Sequence, residues 1–189
     1  MTKDEIKKTQ RTVGVLDDGF WGNKSNLGTQ KYLRGFMPAK HPAPASDQTS
    51  LRKFFGDPGD ESKLVNLPVP QGVVVLYEGK AVKTILCHAK IAEPLTRVLV
   101  ELNTFEEGRA ILKRYAGCYN NRSVRGGSVP SLHAYGAALD FDPDNNGNHT
   151  HWPTGATMPL SVMVVFARHG FLPAGAFWNR DAMHFQFTK

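Results

Sequence analysis

"SLHAYGAALDFDPDNNG", residues 131–147, sets one histidine and three aspartates among glycine, alanine and larger apolar residues. On a continuous helix the Cα atoms of His133 and Asp140, seven residues apart, would be separated by about 10.5 Å. Donor atoms that share one zinc ion lie only about 3–3.5 Å from each other. The two side chains can therefore meet at an ion only if the chain bends between them, and Gly136 permits that bend. Leu139 and Phe141 then flank Asp140 as they would on a strand with one apolar and one polar face. The same two-residue period runs through "DAMHFQFTK", residues 181–189, where Met183, Phe185 and Phe187 alternate with His184 and Gln186. Two strands would each bury an apolar face and offer one ligand from the other. Asp181 lies three residues before His184, an odd separation that on a regular strand sends its side chain to the opposite face. Placed in the loop entering the strand, it can lean toward the ion's open position, where a base is needed.

Other readings compete with this one. A single His-x6-Asp spacing is weak evidence, and a histidine on a strand is more often a satisfied polar residue than a ligand. Asp140, Asp142 and Asp144 alternate as in an EF-hand loop, but that loop needs Gly at its sixth position and Glu at its twelfth. Asn145 and His151 stand there, which excludes a full EF-hand and leaves a partial calcium site of Asp142, Asp144 and Asn146 as the alternative. His149 and His151 read as surface-loop histidines. His88, beside Cys87, reads as structural.

Working outward, "PLSVMVVFARHG" suits a buried helix ended by Gly170, with a strand as the alternative because of its β-branched run. Upstream, Ile91, Leu95, Val98, Leu99, Leu102 and Phe105 recur at helical spacing over 90–105, with Pro94 near the first turn. Val73–Tyr77 and Ala81–Cys87 flank Glu78-Gly79-Lys80 as the arms of a hairpin. Residues 57–70 are rich in chain breakers, and "PAKHPAPASDQTS", residues 38–50, reads as a linker or long surface loop. A helix is expected from an N-cap at Ser25, anchored by Leu27, Tyr32 and Phe36. These elements predict an α+β fold with a mainly antiparallel sheet, an N-terminal extension over 1–59 and a main domain over 60–189.

The 189 residues and 41% hydrophobic content suffice for one packed core without disulfide staples. Cys87 and Cys118 form no CxxC pair and are read as two buried thiols, with one disulfide as the alternative. The first twenty residues hold no apolar run of the signal-peptide kind, and nowhere do about 18 apolar residues follow one another. The net charge of +6 favours an anionic partner such as nucleic acid, anionic lipid or wall polymer. Residues 1–60 and 61–189 each carry +3, so no basic stripe of a dedicated nucleic-acid binder appears.

"SLHAYGAALDFDP" has the form SxHxxGxAxD. Together with "YNNR" upstream and "DAMHF" at the end, it resembles the M15 zinc peptidases, the D-Ala-D-Ala carboxypeptidase and L-alanyl-D-glutamate endopeptidase group. The DxMHF form is most similar to the phage endolysin branch. Over roughly residues 60–189 the resemblance implies a hedgehog/DD-peptidase-like sheet with helices on one face and a zinc site on the other. It implies His133, Asp140 and His184 as ligands of one Zn2+, Asp181 as catalytic base, and Arg122 as the cation at the reacting carbonyl. Ser131 matches the first motif position and would help shape the substrate site. Gln186 stands where many relatives carry a carboxylate. The N-terminal "LDDGFWGNKSNLGTQKYL" is faintly similar to the core of peptidoglycan-binding modules.

The implied activity is bacteriolytic hydrolysis of the L-Ala–D-Glu bond of peptidoglycan stem peptides, by a monomer that inserts in no membrane and binds no nucleic acid. D,D-carboxypeptidase action on D-Ala-D-Ala is the enzymatic alternative, and a zinc-stabilised wall-binding module the non-catalytic one. Without a signal peptide, such an enzyme would wait in the host cytoplasm for a phage holin or a specialised secretion route.

Overall fold

In the computed structural model, which describes residues 1–189, the chain opens with the helices α1 (Lys3–Thr12), α2 (Asn23–Arg34) and α3 (Gln48–Phe55). A capping box starts α1: Thr2 Oγ1 accepts from the Glu5 amide and the Glu5 carboxylate accepts from the Thr2 amide. The turn that follows is organised by Gln10, whose buried amide group donates to Asp18, to the Phe20 carbonyl and to the Ser25 hydroxyl, and accepts from Gly19 N–H. Ser25 consequently lies inside α2, which begins after Gly22, and does not cap it. This start turns Ser25, Thr29 and Leu33, spaced by four, toward the interior. Leu27 falls on the other side and is exposed, while Tyr32 and Phe36 pack at the core margin.

The stretch read as a linker is irregular only to residue 47, because Asp47 accepts from Ser50 N–H and starts α3. Leu33, Leu51 and Phe55 enter the same buried cluster as the C-terminal half of the chain. The breaker-rich residues 57–70 contain a strand, β1 (Leu64–Pro68). The expected hairpin is short: β2 (Leu76–Tyr77) pairs with β3 (Lys80–Ala81) around Glu78 and Gly79, both at positive φ. The remainder of its second arm, β4 (Thr84–His88), pairs antiparallel with β1 over five residues, a longer ladder than the hairpin offers.

Helix α4 (Ala89–Leu102) buries Ile91, Leu95, Val98, Leu99 and Leu102. His88 caps it, with Nδ1 accepting from Lys90 N–H while Nε2–H donates to the Phe55 carbonyl, so this histidine is structural. Because the helix begins at Ala89, Pro94 sits in its second turn and not its first. The helix also stops short of Phe105, which precedes a further helix, α5 (Glu106–Leu112).

The C-terminal half forms one antiparallel sheet, β5 (Tyr115–Gly117), β6 (Ala138–Phe141), β7 (Leu172–Pro173) and β8 (His184–Gln186), in the order β5-β6-β8-β7. The short helix α6 (Pro143–Asn146) follows β6, and α7 (Leu160–Arg168) and α8 (Ala174–Phe177) flank β7. "PLSVMVVFARHG" is thus helical, and its Phe166 stacks on Phe185 with ring centroids 3.8 Å apart. Leu139 pairs with Phe185 and Asp140 with His184, so the apolar pair meets α7 while the polar pair shares the other face. The fold is α+β, as the pattern predicts, and no helix is long and apolar enough to cross a membrane.

Both cysteines are free and buried. Burial pushes the Cys87 thiol up to about 12 and Cys118 well above its usual value, which leaves both as inert thiols at neutral pH.

Leu51 is fully buried, so Leu51→Ala should cost about 2–5 kcal/mol in urea denaturation. Leu27→Ala, on the exposed face of α2, should stay within about 0.5 kcal/mol. Equal losses would contradict the placement of α3 in the common core.

Candidate metal centre

His133 sits in a tight 3-10 turn, Leu132–Tyr135, held by Ser131, whose hydroxyl accepts from His133 N–H at 3.3 Å. The turn ends at Gly136, in the left-handed region at φ 63°, and the chain then enters β6. A side chain at this position would strike the backbone of Cys87 and His88, because Gly136 also accepts from His88 N–H across the junction with β4. The bend expected at Gly136 is therefore present. It brings His133 beside Asp140, and the β6–β8 register brings in His184.

The three donor atoms lie close together. His133 Nε2 is 3.2 Å from His184 Nδ1 and 3.2 Å from Asp140 Oδ2, and His184 Nδ1 is 3.0 Å from Asp140 Oδ1. Tetrahedral zinc with bonds of about 2.0–2.1 Å places its ligands about 3.3 Å apart, a spacing this cluster nearly meets.

The far side of each imidazole fixes what the near side offers. His133 Nδ1 lies 2.6 Å from the Cys118 carbonyl, which can only accept, so Nδ1 carries the proton and Nε2 presents a lone pair. On His184, Nε2–H donates to Gln186 Oε1 at 3.2 Å, while the Gln186 amide donates to Thr188 Oγ1 at 2.7 Å. His184 Nδ1 is thereby left bare as well. Two imidazole lone pairs and a carboxylate converge in a buried site, an arrangement that repels itself unless a cation sits between them. The residues present fit a divalent, zinc-type ion.

Electrostatics show the same demand for positive charge between these groups, met by the imidazoles themselves when they are protonated. Burial raises the Asp140 carboxyl, but hydrogen bonds and charge from His133 and His184 outweigh that and hold it well below the usual carboxylate range. Burial lowers His184, yet its contact with Asp140 carries it above the ordinary histidine value.

Asp181 lines the cleft beside this cluster. Its φ of 59° breaks the strand alternation and lets a residue at odd spacing from His184 share the cleft. Burial pushes its carboxyl up, and its Oδ1 is buried with no hydrogen-bond partner. Arg122 lines the same cleft, with Ser131 N–H donating to its carbonyl.

The calcium alternative does not fit. Both carboxylate oxygens of Asp142 are taken by Arg114 and by the amides of Asn145 and Asn146. Asn146 Oδ1 accepts from Thr157 N–H and Met158 N–H, and the exposed Asp144 pairs with Arg114. The acidic run is a braced turn. His149 and His151 are exposed, and His151 bonds the Asn179 carbonyl.

Some cleft residues carry no motif. Trp178 stacks on His184 with centroids 5.5 Å apart and rings 27° from parallel, and Arg125 and Arg180 line the same opening of about 410 Å³. The loop bearing Trp178 and Asp181 is braced from far upstream: Gln30 of α2 donates to the Ala176 and Phe177 carbonyls at the end of α8, and Arg34 lies over the Phe177 ring.

A family model described as D-alanyl-D-alanine carboxypeptidase, one of the M15 peptidases, matches residues 125–187, one third of the chain. The match spans His133, Asp140, Asp181 and His184, stops short of Arg122, and supports the M15 peptidase family. No curated protein and no solved structure matches the chain.

Gln186→Leu keeps the side chain's approximate size but removes the acceptor for His184 Nε2–H. Zinc affinity, measured by competition with a chromogenic chelator, should fall about 10–100-fold. An unchanged affinity would mean that Gln186 does not fix the ring.

Proposed function

We propose that this chain is a zinc-dependent peptidoglycan endopeptidase of the endolysin kind, cutting the L-Ala–D-Glu bond of stem peptides. The observation that carries the reading is the pair of tautomerically fixed imidazoles meeting one carboxylate at 3.0–3.2 Å, with the unpartnered Asp181 in the same cleft. His133, Asp140 and His184 would hold the ion. Zinc bound there supplies Lewis-acid polarisation and a water of near-neutral acidity.

The chain's own groups account for the remaining steps. The Asp181 carboxylate accepts a proton as water attacks the peptide carbonyl and returns it to the departing amine. A carboxyl raised by burial is suited to both halves of that exchange. The Arg122 guanidinium faces the charge growing on the carbonyl oxygen, a stabilisation of about 3–4 kcal/mol in comparable sites. Ser131 holds the His133 turn in place. Neither thiol takes part, since both are buried and protonated.

A cut at an internal bond is favoured by the cleft itself, because two cavities share Arg122, His133 and Asp140 in their walls. The description of the matching family favours a second reading, removal of a terminal D-Ala. Digestion of purified murein with and without chelator, followed by mass spectrometry, separates the two. The endopeptidase releases fragments with a new D-Glu amino terminus, whereas free D-Ala without that terminus would overturn the proposal.

Asp181→Ala should retain zinc and fold while hydrolysis drops by at least about 10²-fold. Retention of most activity would remove Asp181 as the base. Full loss with normal zinc content would also reject a purely wall-binding role for the parent protein.

A further inference from the structure

A second cavity beside the candidate metal centre takes no part in the steps above. It has a volume of about 310 Å³ and is walled by Tyr77, Leu86, Tyr115, Tyr119 and Asn120. It shares Arg122, His133 and Asp140 with the larger cleft, so a chain seated in both would run past these three residues. The two lobes differ in chemistry. The larger one adds two arginines, Arg125 and Arg180, and one acid, Asp181, whereas the smaller adds no charged residue of its own.

Three tyrosines, Tyr77, Tyr115 and Tyr119, contribute to the wall of the smaller lobe. Tyr77 and Leu86 are partly exposed there, and Tyr77 meets Tyr115 edge-on at 6.3 Å. Tyr119 is oriented by donating its hydroxyl to Glu61 at 3.1 Å, and Asn120 adds an amide. Such a surface offers rings for the C–H face of a sugar and donors for its hydroxyl and acetamido groups.

Resting on the endopeptidase reading, we infer that the tyrosine-walled lobe is a subsite for the N-acetylated sugar that acylates the stem peptide, and that the arginine-lined lobe takes the peptide's carboxylates. Volume and charge distinguish the two lobes. On the amino-terminal side of the L-Ala–D-Glu bond stands a single alanine, far too small to fill the lobe, and beyond it only the uncharged lactyl-sugar unit. Every free carboxylate of the stem lies on the other side of the bond, where Arg125 and Arg180 stand. This fixes the direction in which the substrate lies across the centre.

The test compares a muramyl tripeptide with the same tripeptide bearing only an N-acetyl cap. The wild-type enzyme should favour the sugar-bearing substrate about ten-fold in kcat/KM, mostly through KM. Tyr77→Ala should bring that ratio near one, and Tyr77→Phe, which keeps the ring, should preserve most of it. Leu86→Ser, on a separate strand of the same wall, should lower the ratio independently. A wild-type ratio near one, or a ratio unmoved by both Tyr77→Ala and Leu86→Ser, overturns the subsite and leaves the peptidase reading standing. If the wild-type enzyme cuts neither substrate, the peptidase reading falls and the subsite with it.

Discussion

The pairing of β6 with β8 is the constraint on which the rest of the structure depends. Its register sets Asp140 opposite His184 and Leu139 opposite Phe185. Side chains alternate along a strand, so a slip of one residue would turn the carboxylate into the core and a leucine into the cleft. The aromatic stack of Phe166 on Phe185, with Phe141 packed against both, makes that slip costly. Hydrophobic packing on one face of the sheet thus sets the spacing of the donor groups on the other.

Around this sheet the N-terminal helices act as braces. Leu33, Leu51 and Phe55 join the central cluster, and His88 ties α3 to the start of α4 through the Phe55 carbonyl. Gln30 reaches the end of α8 just before the loop that carries Trp178 and Asp181. Two residues of this loop, Asn179 and Asp181, adopt left-handed backbone conformations that cost non-glycine residues energy and persist only where neighbours enforce them.

Much of this was legible in the sequence, for identifiable reasons. The bend between His133 and Asp140 follows from a spacing too long for one ion and a glycine in the middle. The final strand follows from its two-residue period, and α4 from its apolar stripe. The placement of Asp181 could be anticipated from its odd offset, though not the positive φ that achieves it. Other features left no trace because their signals are not local. A carbonyl such as that of Cys118, which decides a histidine tautomer, has no residue type of its own. The β1–β4 ladder joins segments about twenty residues apart across a stretch that reads as a hairpin, and Gln30 acts 146 residues from its partner. Ser25 and Leu27 misled because the helix phase was set by Gln10, a buried hub outside the helix.

Gln186 behind His184 has a consequence for the charge of the whole assembly. A carboxylate in that position would lend electron density to the imidazole and a second negative charge to the site, whereas an amide lends neither. With a divalent ion bound, two neutral rings and one carboxylate would sum to a centre of charge +1. Such a centre would withdraw electrons more strongly from an approaching oxygen than a neutral one. Its outer support, having no proton to gain, also keeps the same donor pattern in acid that would neutralise a carboxylate there.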